Sequence, residues 1–210
     1  QTFKERFDKE LQSEVIKTLM DWQQSGFLDI VIDEALQTQI DELEDKIKTL
    51  NLNVKDFGAV GDGVTDDTQI IQNVINTAIQ NGARSVFFPS GVYKITDTIY
   101  IDDGIKIFGE HRKKTIIKSE LTVDKPLFAV AQNNSLTEFY LGSLTINGNG
   151  AGTAIKLGGG STKTAVDCTI ENIRVFNFKI GLESTYSWCN NFRMVRFQGC
   201  SRPLLLASQT

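Results

Sequence analysis

Residues 56–68 read DFGAVGDGVTDDT. Three glycines and four aspartates fall within thirteen residues, directly ahead of a run with helical apolar periodicity. A phosphate loop needs G-x-x-x-x-G-K-[ST]. Gly58 and Gly63 match that glycine spacing, but Val64 and Thr65 stand where Lys and Ser/Thr are required. An EF-hand loop beginning at Asp62 fails at Val64, Asp67 and Asn73. The glycine order is G-x-x-G-x-G, not the G-x-G-x-x-G of a dinucleotide site. What remains is a helix entrance. The glycines permit tight turns with positive φ. Asp66 is placed to cap the first turn, with Gln69 reaching back, and Asp67 adds charge at the helix's positive end. This structural role is expected ahead of catalysis by Asp62, Asp66 or Asp67, because acidic residues in a first helical turn need no function.

The helix is expected to run to about Gln80, with Ile70, Ile71, Val74, Ile75, Ala78 and Ile79 on one face and Asn81-Gly82 ending it. RSVFFPSGVYKI (84–95) then reads as strand, Pro-Ser-Gly turn and strand. Together with IKIFGE (105–110), these segments resemble the N-terminal signature of pectate-lyase-superfamily domains. That resemblance implies an all-β solenoid, a right-handed parallel β-helix whose N-terminal end is plugged by the helix. It covers residues 54–109 closely and 110–210 by repeat pattern. Polysaccharide lyases, hydrolases and bacteriophage tailspikes share this entrance, so it specifies fold and not chemistry.

The repeat is legible further on. Leu141, Leu144 and Ile146 share a 3-then-2 spacing with Ile170, Ile173, Val175 and with Phe192, Val195, Phe197. The copies are offset by 29 and 22 residues, and Gly158–Thr162 supplies a loop insertion in the longer one. Ile99, Ile101, Ile105 and Ile107 are expected to form an earlier rung. The chain's last rung has no cover, so the expectation is a part of a longer protein.

Residues 1–50 differ in kind. They carry net charge −6 against +2 for residues 51–210. Phe3, Phe7, Leu11, Val15, Leu19 and Trp22 form a helical stripe. Leu36, Ile40, Leu43, Ile47 and Leu50 then follow a heptad seam, Ile at a and Leu at d. This 1–50 leader is read as an assembly and attachment segment with a short coiled coil, and 51–210 as the N-terminal part of the β-helix. The segment DWQQSGFLDIVIDEALQTQIDELE resembles helical leaders of tail proteins from phages of Gram-positive hosts. The appendage resemblance implies a homotrimer, attached through its N-terminal helices to other tail or baseplate proteins.

Several classes are excluded. A net charge of −4 does not suit nucleic acid, which needs a basic surface. No run approaches the roughly 18 apolar residues of a membrane span. One histidine, His111, and three cysteines, Cys168, Cys189 and Cys200, imply neither a metal site nor a disulfide framework; the thiols are expected to be buried and free. No cofactor is implied.

Candidate carbohydrate-binding residues come from the 22-residue offset, which stacks Glu171 on Arg193 and Arg174 on Arg196. Arg recognises carboxylate or phosphate; the competing reading is a surface ion-pair ladder. Tyr186 and Trp188 suit sugar stacking, or else pack the rung beneath them. His111 beside Arg112, Lys113 and Lys114 is a possible lyase base, and Asp102-Asp103 offers no separated carboxylate pair. No catalytic set emerges. The expected function is a virion appendage that binds, and in full length could degrade, a host surface polysaccharide such as teichoic acid or capsule. The alternative is a secreted, monomeric polysaccharide lyase or glycoside hydrolase.

Overall fold

The computed structural model describes residues 14–18, 20–22, 24, 36–43, 46, 51–121, 124–131, 135–158, 164–185 and 187–207. The chain divides into two compact units, Gln1–Ile47 and Lys48–Thr210. The described residues of the first unit are helical. In the seam, Leu36, Ile40 and Leu43 are exposed in the single chain; Ile47 and Leu50 lie outside the described residues.

The second unit is a parallel β-helix. Its first sheet stacks Leu52–Asn53, Ser85–Phe88, Lys106–Gly109, Tyr140–Gly142, Thr169–Glu171 and Asn191–Arg193. A second sheet of six strands runs from Asp62–Asp66 to Arg196–Gln198. A third of five runs from Ile99–Ile101 to Arg202–Ala207, and a fourth of three joins Leu136–Thr137, Ala165–Val166 and Ser187–Trp188. Every pairing between strands is parallel, and each strand pairs with its counterpart one rung away.

The expected repeat register holds. Leu141 aligns with Ile170 and Ile170 with Phe192; Ile146 aligns with Val175 and Val175 with Phe197. Leu141, Leu144, Ile146, Ile170, Ile173 and Val175 are all fully buried. Alternation sets the inward side within each strand, and a left-handed residue, Ser143 or Asn172, takes up the extra residue that lets Leu144 and Ile173 point inward as well. One expectation fails: Ile99, Ile101, Ile105 and Ile107 do not make a single rung. Ile101 ends a third-sheet strand of one rung, while Ile107 pairs with Val86 and Leu141 and so opens the next. The four share one pattern because the chain turns the corner at Asp102–Gly104 without losing its inward phase.

The opening stretch resolves into distinct jobs. Asp62–Asp66 is itself a strand, paired irregularly with Gly91–Ile95, and not only a turn. Gly58, Gly61 and Gly63 all have positive φ. The Asp62 carboxylate accepts Val64 N and Thr65 N at 2.8 and 2.7 Å. The helix spans Thr68–Gln80, and its N-cap is Asp67, which makes no side-chain cap bond. The capping box with Gln69 is therefore replaced: Asp66 accepts Thr68 N at 3.0 Å and Thr96 Oγ1 at 2.6 Å. Asp67 is fully buried and spends its carboxylate on Val60 N (2.8 Å) and Gly61 N (3.0 Å). The motif thus folds its own loop back onto the helix start, which leaves none of these three carboxylates uncommitted.

The cysteines divide. Cys168 is buried, and burial pushes its thiol up to about 11. Cys200 packs against the core. Cys189 is exposed, contrary to expectation, because it occupies a left-handed corner at φ 58° that points away from the core.

Candidate carbohydrate-binding face

Outward positions of the first sheet form columns. One runs Ser85, Lys106, Tyr140, Thr169, Asn191; its neighbour runs Phe87, Phe108, Gly142, Glu171, Arg193. Rungs lie about 4.8 Å apart, so side chains in a column touch. Phe87 and Phe108 do so, with ring centroids 5.4 Å apart and planes tilted by 42°.

Above Phe108 the column reaches Gly142, where a Cβ would lie 2.7 Å from Cζ of Tyr140. The Tyr140 ring therefore occupies the space over Gly142, and its hydroxyl donates to Glu171 Oε1 at 2.9 Å. Desolvation, then this carboxylate, pushes the Tyr140 phenol up to about 12, so it stays protonated as the donor. Glycine is required here because any side chain would lift the ring. The result is an aromatic strip, Phe87, Phe108 and Tyr140, lying along the outer surface.

A groove of about 670 Å³ opens beside the strip. Lys106, Arg84, Phe108, Tyr140, Asn51 and Glu138 contribute to its walls. Arg84 is held at the rim by donating to the Asp103 carbonyl. Glu138 sits at a left-handed corner, φ 54°. An aromatic floor flanked by two cations, the Glu138 carboxylate, an amide and hydroxyls can meet a hydroxylated ligand: rings stack on the C–H faces of a sugar, and Lys106 and Arg84 are the groups that would meet acid groups on it.

The sequence candidates distribute over three faces. Glu171 and Arg193 align on the first sheet, and Arg174 and Arg196 align on the second. Both stacks occur as expected, but left-handed corners at Asn172 and Met194 separate them. Trp188 is exposed on the fourth sheet, and Tyr186 lies outside the described residues. Glu171 is the one candidate drawn into the aromatic strip. Sequence reasoning missed Phe87, Phe108, Lys106 and Tyr140. Their signal was the alternation Ser-Val-Phe-Phe and Lys-Ile-Phe-Gly, readable as outward aromatics only once the rung offset of 21 and then 34 residues is known.

Among the described residues no group of three or more His, Cys, Asp or Glu side chains is arranged to hold a metal ion. No helix among them is long and apolar enough to cross a membrane.

The fold is a parallel β-helical solenoid. A family model described as rhamnogalacturonase A/epimerase, pectate lyase-like, matches residues 51–135. The chain is 31% identical over 143 residues to mannuronan C5-epimerase AlgE4 of Azotobacter vinelandii, covering 60% of this chain and 26% of that protein. It is 36% identical over 110 residues to alginate lyase 7 of the same organism, covering 48% and 13%. The solved A-module of AlgE4 superposes with TM-score 0.55 at 25% identity, covering 70% of this chain and 50% of the module. PfbA, a surface adhesin of Streptococcus pneumoniae, superposes with TM-score 0.56 at 22% identity, covering 71% and 39%, a likeness of fold. The chain thus spans about a quarter or less of these curated relatives. Residues 51–135 match the pectate-lyase-like family model, and the parallel β-helix they begin continues to Ala207, a scaffold like that of the carbohydrate-acting relatives.

Proposed function

We propose that the outer face of the first sheet binds an acidic polysaccharide, and that the whole protein is a bacteriophage tailspike or tail appendage that recognises, and in full length can degrade, a host surface glycan. The aromatic strip flanked by Lys106 and Arg84 carries the binding part of this reading. Similarity to enzymes named for mannuronan and alginate supports an acidic sugar polymer. The heptad seam Leu36, Ile40, Leu43, Ile47, Leu50 supports assembly of copies, a trimer by the appendage resemblance, with the leader as the attachment segment.

Titration calorimetry with acidic oligosaccharides tests the binding. Lys106→Ala should weaken it by about 1.5 kcal/mol or more, the usual worth of a charged hydrogen bond. Unchanged affinity would move the site off this face.

A second reading, a secreted monomeric lyase or hydrolase, is favoured by the same enzyme similarities. Light scattering on the chain with and without residues 1–50 separates the two. A trimer that dissociates on removal of the leader supports the appendage; a monomer in both forms supports the secreted enzyme.

A further inference from the structure

A second, smaller pocket of about 150 Å³ lies where the first-sheet strands end, lined by Glu110, His111, Arg112, Lys113, Ser143 and Asn172. We propose that it is an oxyanion subsite, which takes a carboxylate or phosphodiester group further along the same polymer that occupies the groove. The inference rests on the binding reading above and extends it to a second charged contact.

The pocket is built by its backbone. Glu110 N donates to Phe88 O at 2.9 Å, and the His111 carbonyl accepts Lys114 N and Thr115 N at 2.9 and 2.8 Å. Thr145 Oγ1 donates to Arg112 O at 2.6 Å, which fastens the loop to the second sheet. The side chain of Arg112 plays no part in these bonds. The one acid is engaged elsewhere: Glu110 Oε2 accepts Ser90 N at 2.7 Å, and hydrogen bonds from Ser90 hold that carboxyl below its usual range. His111 Nδ1 accepts Lys113 N at 3.2 Å, so the ring proton of the neutral imidazole sits on Nε2, a donor. Asn172 Nδ2 donates to Ser143 Oγ at 3.2 Å and closes the far wall. Two cations and an imidazole therefore line a cavity whose one lining carboxylate, Glu110, keeps its charge but turns Oε2 toward Ser90 N.

The two sites share a surface. Tyr140, in the groove, and Ser143, in the pocket at the left-handed corner where that strand ends, are three residues apart, at most about 10 Å. The Tyr140 ring over Gly142 lies between them. A short oligosaccharide stacked on that ring can reach both.

The test compares oligouronates of two and six residues, and glycerol-phosphate oligomers of matching lengths, by calorimetry on wild type, Arg112→Gln/Lys113→Gln and Lys106→Ala. The double variant should weaken the hexamer about tenfold or more and leave the dimer unchanged, while Lys106→Ala weakens both. The polymer that shows this pattern identifies the anion as carboxylate or phosphodiester. Loss of hexamer affinity in Lys106→Ala but not in the double variant overturns the subsite and spares the groove. No binding of either polymer to wild type overturns both. Thermal unfolding of each variant, expected unchanged because the pocket's backbone bonds remain, confirms that affinity and not folding is read.

Discussion

The side-chain amide of Gln72 stands in for a neighbouring strand at Tyr100. Its Oε1 accepts Tyr100 N at 2.7 Å and its Nε2 donates to Tyr100 O at 3.1 Å. Ile99–Ile101 is the edge strand of the third sheet, so these backbone groups would otherwise be open to pairing with another chain. The helix thus covers the solenoid's end with its apolar face and closes one sheet edge with a single amide.

Gln72→Ala should destabilise the β-helix by about 1–2 kcal/mol, the net worth of two such bonds. Chemical denaturation measures it. The freed edge should also raise the tendency to self-associate, read by light scattering. A variant as stable and as monodisperse as its parent would show that the amide is decorative.

Glycine is needed unequally. At Gly61, φ is +66° and a Cβ would lie 2.9 Å from the Tyr93 ring; at Gly150, φ is +94° and nothing lies within 4 Å. Both alanine substitutions carry left-handed strain of about 1 kcal/mol, but Gly61→Ala must also displace a fully buried ring. Gly61→Ala should therefore cost about 2 kcal/mol more than Gly150→Ala. Equal losses in urea titrations would contradict this.

Stacked inward positions should differ by rung. Leu141 and Ile170 are fully buried, whereas Phe192, in the same column, is 37% exposed. Ile170→Ala should cost about 3 kcal/mol, as buried aliphatic truncations do. Phe192→Ala should cost clearly less despite removing more atoms. Paired denaturation curves on this chain decide the order.

Acid should loosen the N-terminal entrance. Burial opposes ionisation of Asp66, but hydrogen bonds from Thr68 and Thr96 and the charge of Lys94 outweigh it and hold the carboxyl below its ordinary value. Backbone bonds from Val64 and Thr65 do the same for Asp62. A carboxyl depressed in the folded state contributes stability that is fully present above its unfolded value, near 3.9. That contribution is lost as pH falls through the lower folded value. Stability should hold from pH 7 to about 5 and decline below about 4. Asp66→Asn, which cannot titrate, should flatten part of that decline; parallel curves for variant and parent would assign the acid loss to other groups.

What the sequence by itself determined was periodic. The inward 3-then-2 spacing of Leu141, Leu144 and Ile146, repeated at Ile170 and Phe192, specifies rungs because burial acts on each rung through its own residues. The entrance DFGAVGDGVTDDT specifies its turns because glycine φ and short aspartate bonds are local. The stacks Glu171 on Arg193 and Arg174 on Arg196 followed from the same offset. Tertiary structure alone decided which of these residues share a face. Left-handed corners at Asn172 and Met194 set the two stacks on different sheets. The bend of the chain between Lys106 and Tyr140, 34 residues apart, brought a cation beside an aromatic ring. Whether Tyr140 could lie flat depended on Gly142, and where its hydroxyl ended depended on Glu171 of the next rung. Those contacts run perpendicular to the chain, between rungs whose loops vary in length, and a one-dimensional pattern carries no record of loop length until the strands have paired.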